Sequence, residues 1–276
     1  MKPRFRYSRL SGVFLLLCFM GTLMSIFCAY PCEAFQDMKN GREVQMAVKN
    51  EYVGDDSLAG VTMILINRSG DKRVRDFDRY MKNYSGLKKI LIRIKTPPDI
   101  RLTGFLSWEN PTGPDTQFLY LPAMKKTRRI SSKDTDQSFV GSDFNLYDLG
   151  NLKLDDFDYS DTKTEMLDGR ECWYYECTAK PGSDAPYSRI QTWTDKEYII
   201  RTKMIYYDKR GRLFKQMTAS KMMRDQNIWT PHFIMMENLQ DRHKTEFHMK
   251  KIDYNVSVPD FIFDATNLET GKDLDR

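Results

Sequence analysis

From Lys89 to Lys95 the chain alternates without a break: Ile90, Ile92 and Ile94 point one way, and Lys89, Arg93 and Lys95 point the other. A period of two is the pattern of a strand with one buried face. Similar short runs fill most of the chain. Residues 61–67 are apolar and β-branched and end at the turn Arg68-Ser69-Gly70-Asp71. Residues 73–80 read as a polar edge strand. Thr96-Pro97-Pro98 closes the 89–95 strand, because proline cannot donate to a central ladder. Residues 103–108 and 117–121 form the next pair, joined by the loop Pro111-Thr112-Gly113-Pro114-Asp115. Five more strands are expected at 171–178, 187–195, 199–208, 212–220 and 229–238, with a last one at 243–254. Asp208-Lys209-Arg210-Gly211 is a hairpin turn among them.

One stretch follows a helical period instead. Over residues 35–52, Val44, Ala47 and Val48 share a face, while Arg42, Glu43, Lys49 and Glu51 spread over the rest. A second, short helical or irregular piece ends the 97–149 region. Many short strands with polar turns and one clear helix predict a mainly β protein, an antiparallel sheet that is strongly curved or partly closed. No internal repeat or low-complexity linker divides it.

The N-terminus obeys a different rule. Met1 to Arg9 is basic, the run from Leu10 to Tyr30 is apolar, and Pro31-Cys32-Glu33-Ala34 places small residues before a cut between Ala34 and Phe35. That is the grammar of a secretory signal peptide, and an uncleaved membrane anchor is the alternative. Residues 1–34 are therefore assigned to the signal and 35–276 to a single exported domain. Cys28 and Cys32 lack the context of a bacterial lipidation site.

Charge and chemistry narrow the function. The formal charge of +5 owes much to Lys2, Arg4, Arg6 and Arg9; beyond residue 34 there are 39 basic against 37 acidic residues. That balance gives no electrostatic case for nucleic acid. Cys172 and Cys177 lie five apart on one expected strand. That spacing puts them on opposite faces and about 16 Å apart, beyond the reach of a disulfide, so both are expected as free, buried thiols. There are three histidines, His232, His243 and His248. His-Glu-x-x-His, Cys-x-x-Cys, Gly-x-Ser-x-Gly and glycine-rich phosphate loops are all missing from the sequence. Gly54-Asp55-Asp56-Ser57-Leu58 comes close to a lipase block but has an extra Asp and no downstream partner, and reads as a turn. Asp155-Asp156-Phe157-Asp158 reads as a solvated acidic turn. No catalytic, cofactor or metal residue is nominated. The strongest basic cluster is Lys125, Lys126, Arg128 and Arg129. It is either a solvated strand end or a contact for anionic head groups or an acidic partner.

The region from 97 to 149 carries a likeness. It contains Pro98-Asp99-Ile100-Arg101-Leu102-Thr103-Gly104-Phe105-Leu106, Leu119-Tyr120-Leu121-Pro122-Ala123, Arg128-Arg129-Ile130 and Ser138-Phe139-Val140-Gly141-Ser142-Asp143-Phe144. These blocks resemble those of the bacterial outer-membrane lipoprotein-sorting family, related to the LolA and LolB carriers. The Thr103-Gly104 order and Leu146-Tyr147 before Asp148 depart from the usual family pattern. The resemblance implies a half-open, strongly curved antiparallel barrel plugged by a few helices. It also implies a periplasmic, non-enzymatic carrier without a cofactor, whose partners are lipoprotein acyl chains or other lipid, with transient contact to a membrane surface. On this reading Phe139, Phe144 and Leu149 are lid or groove residues; ordinary core packing is the competing account. An accessory protein of an inner-membrane exporter, using the same fold, is the alternative function. A secreted hydrolase finds no motif to support it.

Overall fold

The computed structural model describes residues 37–150 and 153–272. The signal segment and its expected cut at Ala34 and Phe35 lie outside the described residues. The elements in chain order are α1 (Gly41–Asn50), β1 (Asp56–Ile66), β2 (Lys72–Tyr84), β3 (Leu87–Thr96), β4 (Gly104–Trp108), β5 (Thr116–Leu121), β6 (Lys126–Ile130), α2 (Leu146–Leu149), β7 (Phe157–Tyr159), β8 (Lys163–Leu167), β9 (Arg170–Ala179), β10 (Arg189–Asp195), β11 (Ile200–Tyr207), β12 (Leu213–Asp225), β13 (Ile228–Asn238), β14 (His243–Tyr254) and α3 (Asn267–Thr270).

All fourteen strands join one antiparallel sheet in the order β6-β5-β4-β3-β2-β1-β14-β13-β12-β11-β10-β9-β7, with β8 also paired to β9. Two meanders thus run outward from a seam where the first long strand pairs with the last, Met63 opposite Phe247 and Ala59 opposite Ile252. The two ends do not meet, so the sheet curls without closing.

The period-two pattern decides what lies inside. Ala59, Val61, Met63 and Leu65 of β1, Phe77 and Met81 of β2, and Ile90, Ile92 and Ile94 of β3 bury on one face with Phe139 and Leu146. On the other wall Trp173, Tyr175, Cys177, Ile190, Met204, Tyr206 and Met236 bury with Val44 of α1 and Phe144. Leu149 and Phe247 pack against both groups, which makes the two clusters one inner side.

The outer face of β1 to β5 is buried as well. Leu58, Tyr80, Leu91, Leu106 and Tyr120 pack under Val258, Ile262, Phe263 and Leu268 of the C-terminal segment. That cover explains why Arg93, expected to point into water, is 1% exposed. Its guanidinium donates to the main-chain oxygens of Leu102 at 3.0 Å, Leu268 at 2.8 Å and Asn267 at 2.9 Å. Asp56 fastens the same segment by accepting from the amides of Val256 and Val258. Asp56 and Ser57 therefore belong to β1 and not to a turn.

Other expectations shift for identifiable reasons. β2 lies between β1 and β3 and is not an edge. It looks polar because its outer side carries Asp76 and Asp78, which pair with Lys250 and Lys95. α1 is shorter than 35–52: the Asn40 side chain caps it by accepting from Arg42 N, and Asn40 itself bridges to Asp161. The acidic run at 155–158 is not a simple turn. It forms a 3-10 turn over Leu154–Asp156 followed by β7, with Phe157 as a buried anchor. Strands this short leave too few periods to read from sequence.

Cys172 and Cys177 are free and buried. Burial pushes the Cys177 thiol up to about 12 and also raises that of Cys172. At pH 8 both thiols are then protonated in the folded protein. Iodoacetamide is expected to spare them until denaturant is added, as read by intact mass; fast native alkylation would show that β9 opens. Leu268→Ala is expected to cost about 2–5 kcal/mol in chemical denaturation, because the side chain it removes is fully enclosed.

Candidate functional site

The segment after β6 turns inward and crosses the inner side of the sheet. Ser138 bridges to Asn145, and the Phe139 amide donates to the Phe144 carbonyl at 2.9 Å. Between them Val140 and Gly141 adopt left-handed conformations, φ 45° and 75°, a bend that glycine tolerates without strain. α2 follows, held by a capping box: the Asn145 side chain accepts from the Asp148 amide and the Asp148 carboxylate accepts from the Asn145 amide. The result is a compact plug.

Its apolar side chains enter the hollow from this loop. Phe139 is 1% exposed and meets Phe105 with ring centroids 6.1 Å apart. Phe144 stacks on Phe247 of the central seam at 4.2 Å with planes 12° apart. Leu149 touches both halves of the inner core. The structure therefore brings Phe139, Phe144 and Leu149 together across the two walls.

Polar contacts hold the plug in register. The Lys215 ammonium of β12 pairs with the Asp148 carboxylate at 2.6 Å, with side chains only 2% and 6% exposed. Lys215 also donates to the Asp143 carbonyl at 3.1 Å. Tyr187 donates to the other Asp148 oxygen at 2.7 Å and accepts from the Asn145 amide group at 2.9 Å. The ammonium sits 4.9 Å from the Tyr187 ring and 5.4 Å from that of Tyr206, within range of cation–π attraction. Burial, then the nearby Asp148 charge, raises the Tyr187 hydroxyl well above its ordinary value, so it stays a donor. A second latch lies at Asp143. Its carboxylate meets His243 Nδ1 and accepts from the Thr245 hydroxyl, both at 2.7 Å, and Thr245 accepts from its amide.

A cleft of about 520 Å³ opens beside these latches, lined by Asp143, Lys215 and His243 together with Asp208, Lys209 and Asp241. Its wall mixes these charged groups with apolar surface that includes Pro186 and Phe214. Among the described residues no group of three or more His, Cys, Asp and Glu side chains is placed to hold a metal.

The basic cluster lies elsewhere. Lys126, Arg128 and Arg129 are on β6, an edge strand, and Lys125 is the left-handed residue just before it. Register places Arg128 opposite Leu119, Arg129 opposite Phe118 and Lys126 opposite Leu121, so the charges divide between the two faces. Arg128 reaches the start of the plug segment, donating to Gln137 at 2.7 Å. Basic residues on an open edge also discourage strand addition.

Sequence reasoning missed Lys215, Tyr187, His243 and Thr245. One signal was present: Lys215 shares a face with Met217 and Ala219, a charge where the pattern asks for an apolar residue. Its partner, 67 residues away, has no local signature.

Comparisons with other proteins agree with this architecture. A family model described only as an uncharacterized protein matches residues 86–270. No curated protein matches the chain. A solved DUF1329 family protein from Desulfovibrio piger is 30% identical, with TM-score 0.77, over 83% of this chain and 97% of its own. A Vibrio parahaemolyticus domain described as outer membrane lipoprotein-sorting is 27% identical, also with TM-score 0.77, over 83% and 98%. A LolA superfamily protein from Nitrosomonas europaea shares the fold at 16% identity and TM-score 0.63, over 82% and 97%. The chain belongs to the DUF1329 family and has the fold of the LolA-like outer-membrane lipoprotein-sorting proteins.

Proposed function

We propose that the protein is a periplasmic carrier without covalent chemistry. It takes lipoprotein acyl chains or another lipid into the hollow of its sheet and moves them toward the outer membrane. The observation that carries this reading is the plug. A two-walled apolar interior is bridged by a short loop whose aromatic and aliphatic side chains occupy the space an acyl chain would need. Each methylene moved from water into such a space gains about 0.8 kcal/mol. A lipid of ordinary length can therefore displace Phe139, Phe144 and Leu149 once the plug is released.

The plug is suited to release because ion pairs and hydrogen bonds, not strand pairing, fasten it. Breaking them exposes polar groups to the adjoining open cleft, where water satisfies them. Lys125, Lys126, Arg128 and Arg129 are the surface that meets anionic head groups or an acidic face of a loading partner, such as an inner-membrane exporter.

Native mass spectrometry of the chain from residue 35 onward, purified from a bacterial periplasm without detergent, tests the reading. A bound mass that extracts into organic solvent is expected. A clean apo mass that stays unchanged after incubation with lipids and lipoprotein would sink it and leave the exporter-accessory role.

Lys215→Met is expected to destabilise the fold by about 3–5 kcal/mol, since it strands a buried carboxylate. Adding Asp148→Leu should recover much of that loss, as read by urea titration. In the single variant, amides of residues 139–149 should exchange faster than those of β1 and β14. Unchanged plug exchange would mean that Lys215 is not its latch.

A further inference from the structure

The sheet is continuous in strand order but not in pairing. β13 and β14 are in register from Asn238 opposite His243 to Phe233 opposite His248, and there their ladder stops. Both strands run on. β13 reaches back to Ile228, paired with β12, and β14 reaches forward to Tyr254, paired with β1. Residues 228–232 and 249–254 therefore flank a slot beside the central seam.

The residues at the branch explain the split. Pro231 has no amide proton to give a neighbouring strand. Lys221 of β12 takes a left-handed φ of 53° and drops out of the β12–β13 register together with His232. Lys250 of β14 is an extra residue, because Gly60 lies opposite Lys251 and Val61 opposite Met249. A bulge bends its strand and deepens the local twist. Three irregularities at one level of the sheet turn the strands apart.

Two contacts tie the far end of the slot. The Thr230 and Tyr254 hydroxyls meet at 2.8 Å, and the Tyr254 amide donates to Gln226 Oε1 at 2.6 Å. Ile228, Thr230 and Tyr254 are buried, so the slot is shut. Its closure nevertheless rests on side chains, where the strand pairs on either side have a ladder. Thr230 has a second acceptor in the Ile228 carbonyl at 3.3 Å and is satisfied without Tyr254. The rim is continuous with the apolar interior. Met249 and Ile252 pack against the core of one wall, Ile234 packs against the other, and Phe247 touches both.

We infer that this slot is a side entrance through which an acyl chain reaches the hollow, with Tyr254 as its latch. The inference deepens the carrier reading and rests on it. Opening here breaks side-chain hydrogen bonds and no ladder, so the strands part locally while the rest of the sheet holds. The route leads to Phe247, on which Phe144 of the plug stacks. An entering tail therefore meets the plug from within and need not pass the latches at Asp143 and Asp148.

Stopped-flow fluorescence of the chain from residue 35 onward, with dansylaminoundecanoic acid as the probe, tests the entrance. Tyr254→Phe removes one hydroxyl and is expected to speed both loading and release by about 5-fold, the worth of one hydrogen bond. Affinity at equilibrium should stay as in the wild type, because a gate changes rates and not the bound state. His232→Cys with Lys250→Cys places a thiol on each side of the slot. Joining them with a short, cleavable bismaleimide should slow loading at least about 10-fold relative to the same variant without the tether, and cleaving the tether should restore it. Cys172 and Cys177 are buried and stay out of the reaction. Loading that is indifferent to the tether overturns the side entrance and leaves the carrier reading in place, with the tail entering past the plug. A Tyr254→Phe effect on affinity alone also overturns it, since the hydroxyl would then shape the bound state. A wild type that takes up no probe refutes the carrier reading and the entrance together.

Discussion

An ammonium group enclosed by tyrosine rings must have an anion beside it. In this protein the anion arrives on a separate piece of chain. Lys215 stands on the inner wall of the sheet, and Asp148 comes from the short helix of the plug. Neither is tolerable in that place without the other, since an unpaired charge out of water costs several kcal/mol. The pair therefore sets where the plug sits. Once it is set, Phe144 lands on Phe247, Phe139 reaches Phe105 and Leu149 closes the gap between the walls. An apolar contact alone would have allowed the loop to slide; a buried ion pair with a capping box behind it does not.

The sheet solves its own problem differently on its two faces. Its outer surface over β1 to β5 is sealed by the C-terminal segment, with Arg93 and Asp56 binding main-chain groups of that segment. Those contacts are local to one wall and do not cross the hollow. The inner side is bridged by groups from two distant walls and from the plug. A fold built this way can keep its sheet rigid while the contents of the hollow change, because the outer seal and the strand ladders do not depend on the plug.

The positive charges divide by their partners. Those that hold structure are saturated: Lys215 by Asp148, and Arg170 by Asp195 and Glu197. Those on β6 stand at an open edge, where charge discourages strand addition.

Alternation along β1, β3, β4, β5 and the later meander was enough to predict a mainly β, antiparallel, curved architecture. The reason is that a period of two is a local property of the chain. Phe139 and Phe144 stand in the Ser138–Phe144 block that carries the family likeness, and both are buried in the inner core. What remained hidden depends on contacts between distant segments. β2 reads as an edge because its outer charges pair across strands; Arg93 reads as exposed because its cover lies 174 and 175 residues later. Lys215 reads as an exception until the chain delivers Asp148. Composition and spacing determine which faces can be buried. Only the tertiary structure decides what buries them, because the partner of a buried charge is chosen by curvature and strand order, which leave no mark on the residues nearby.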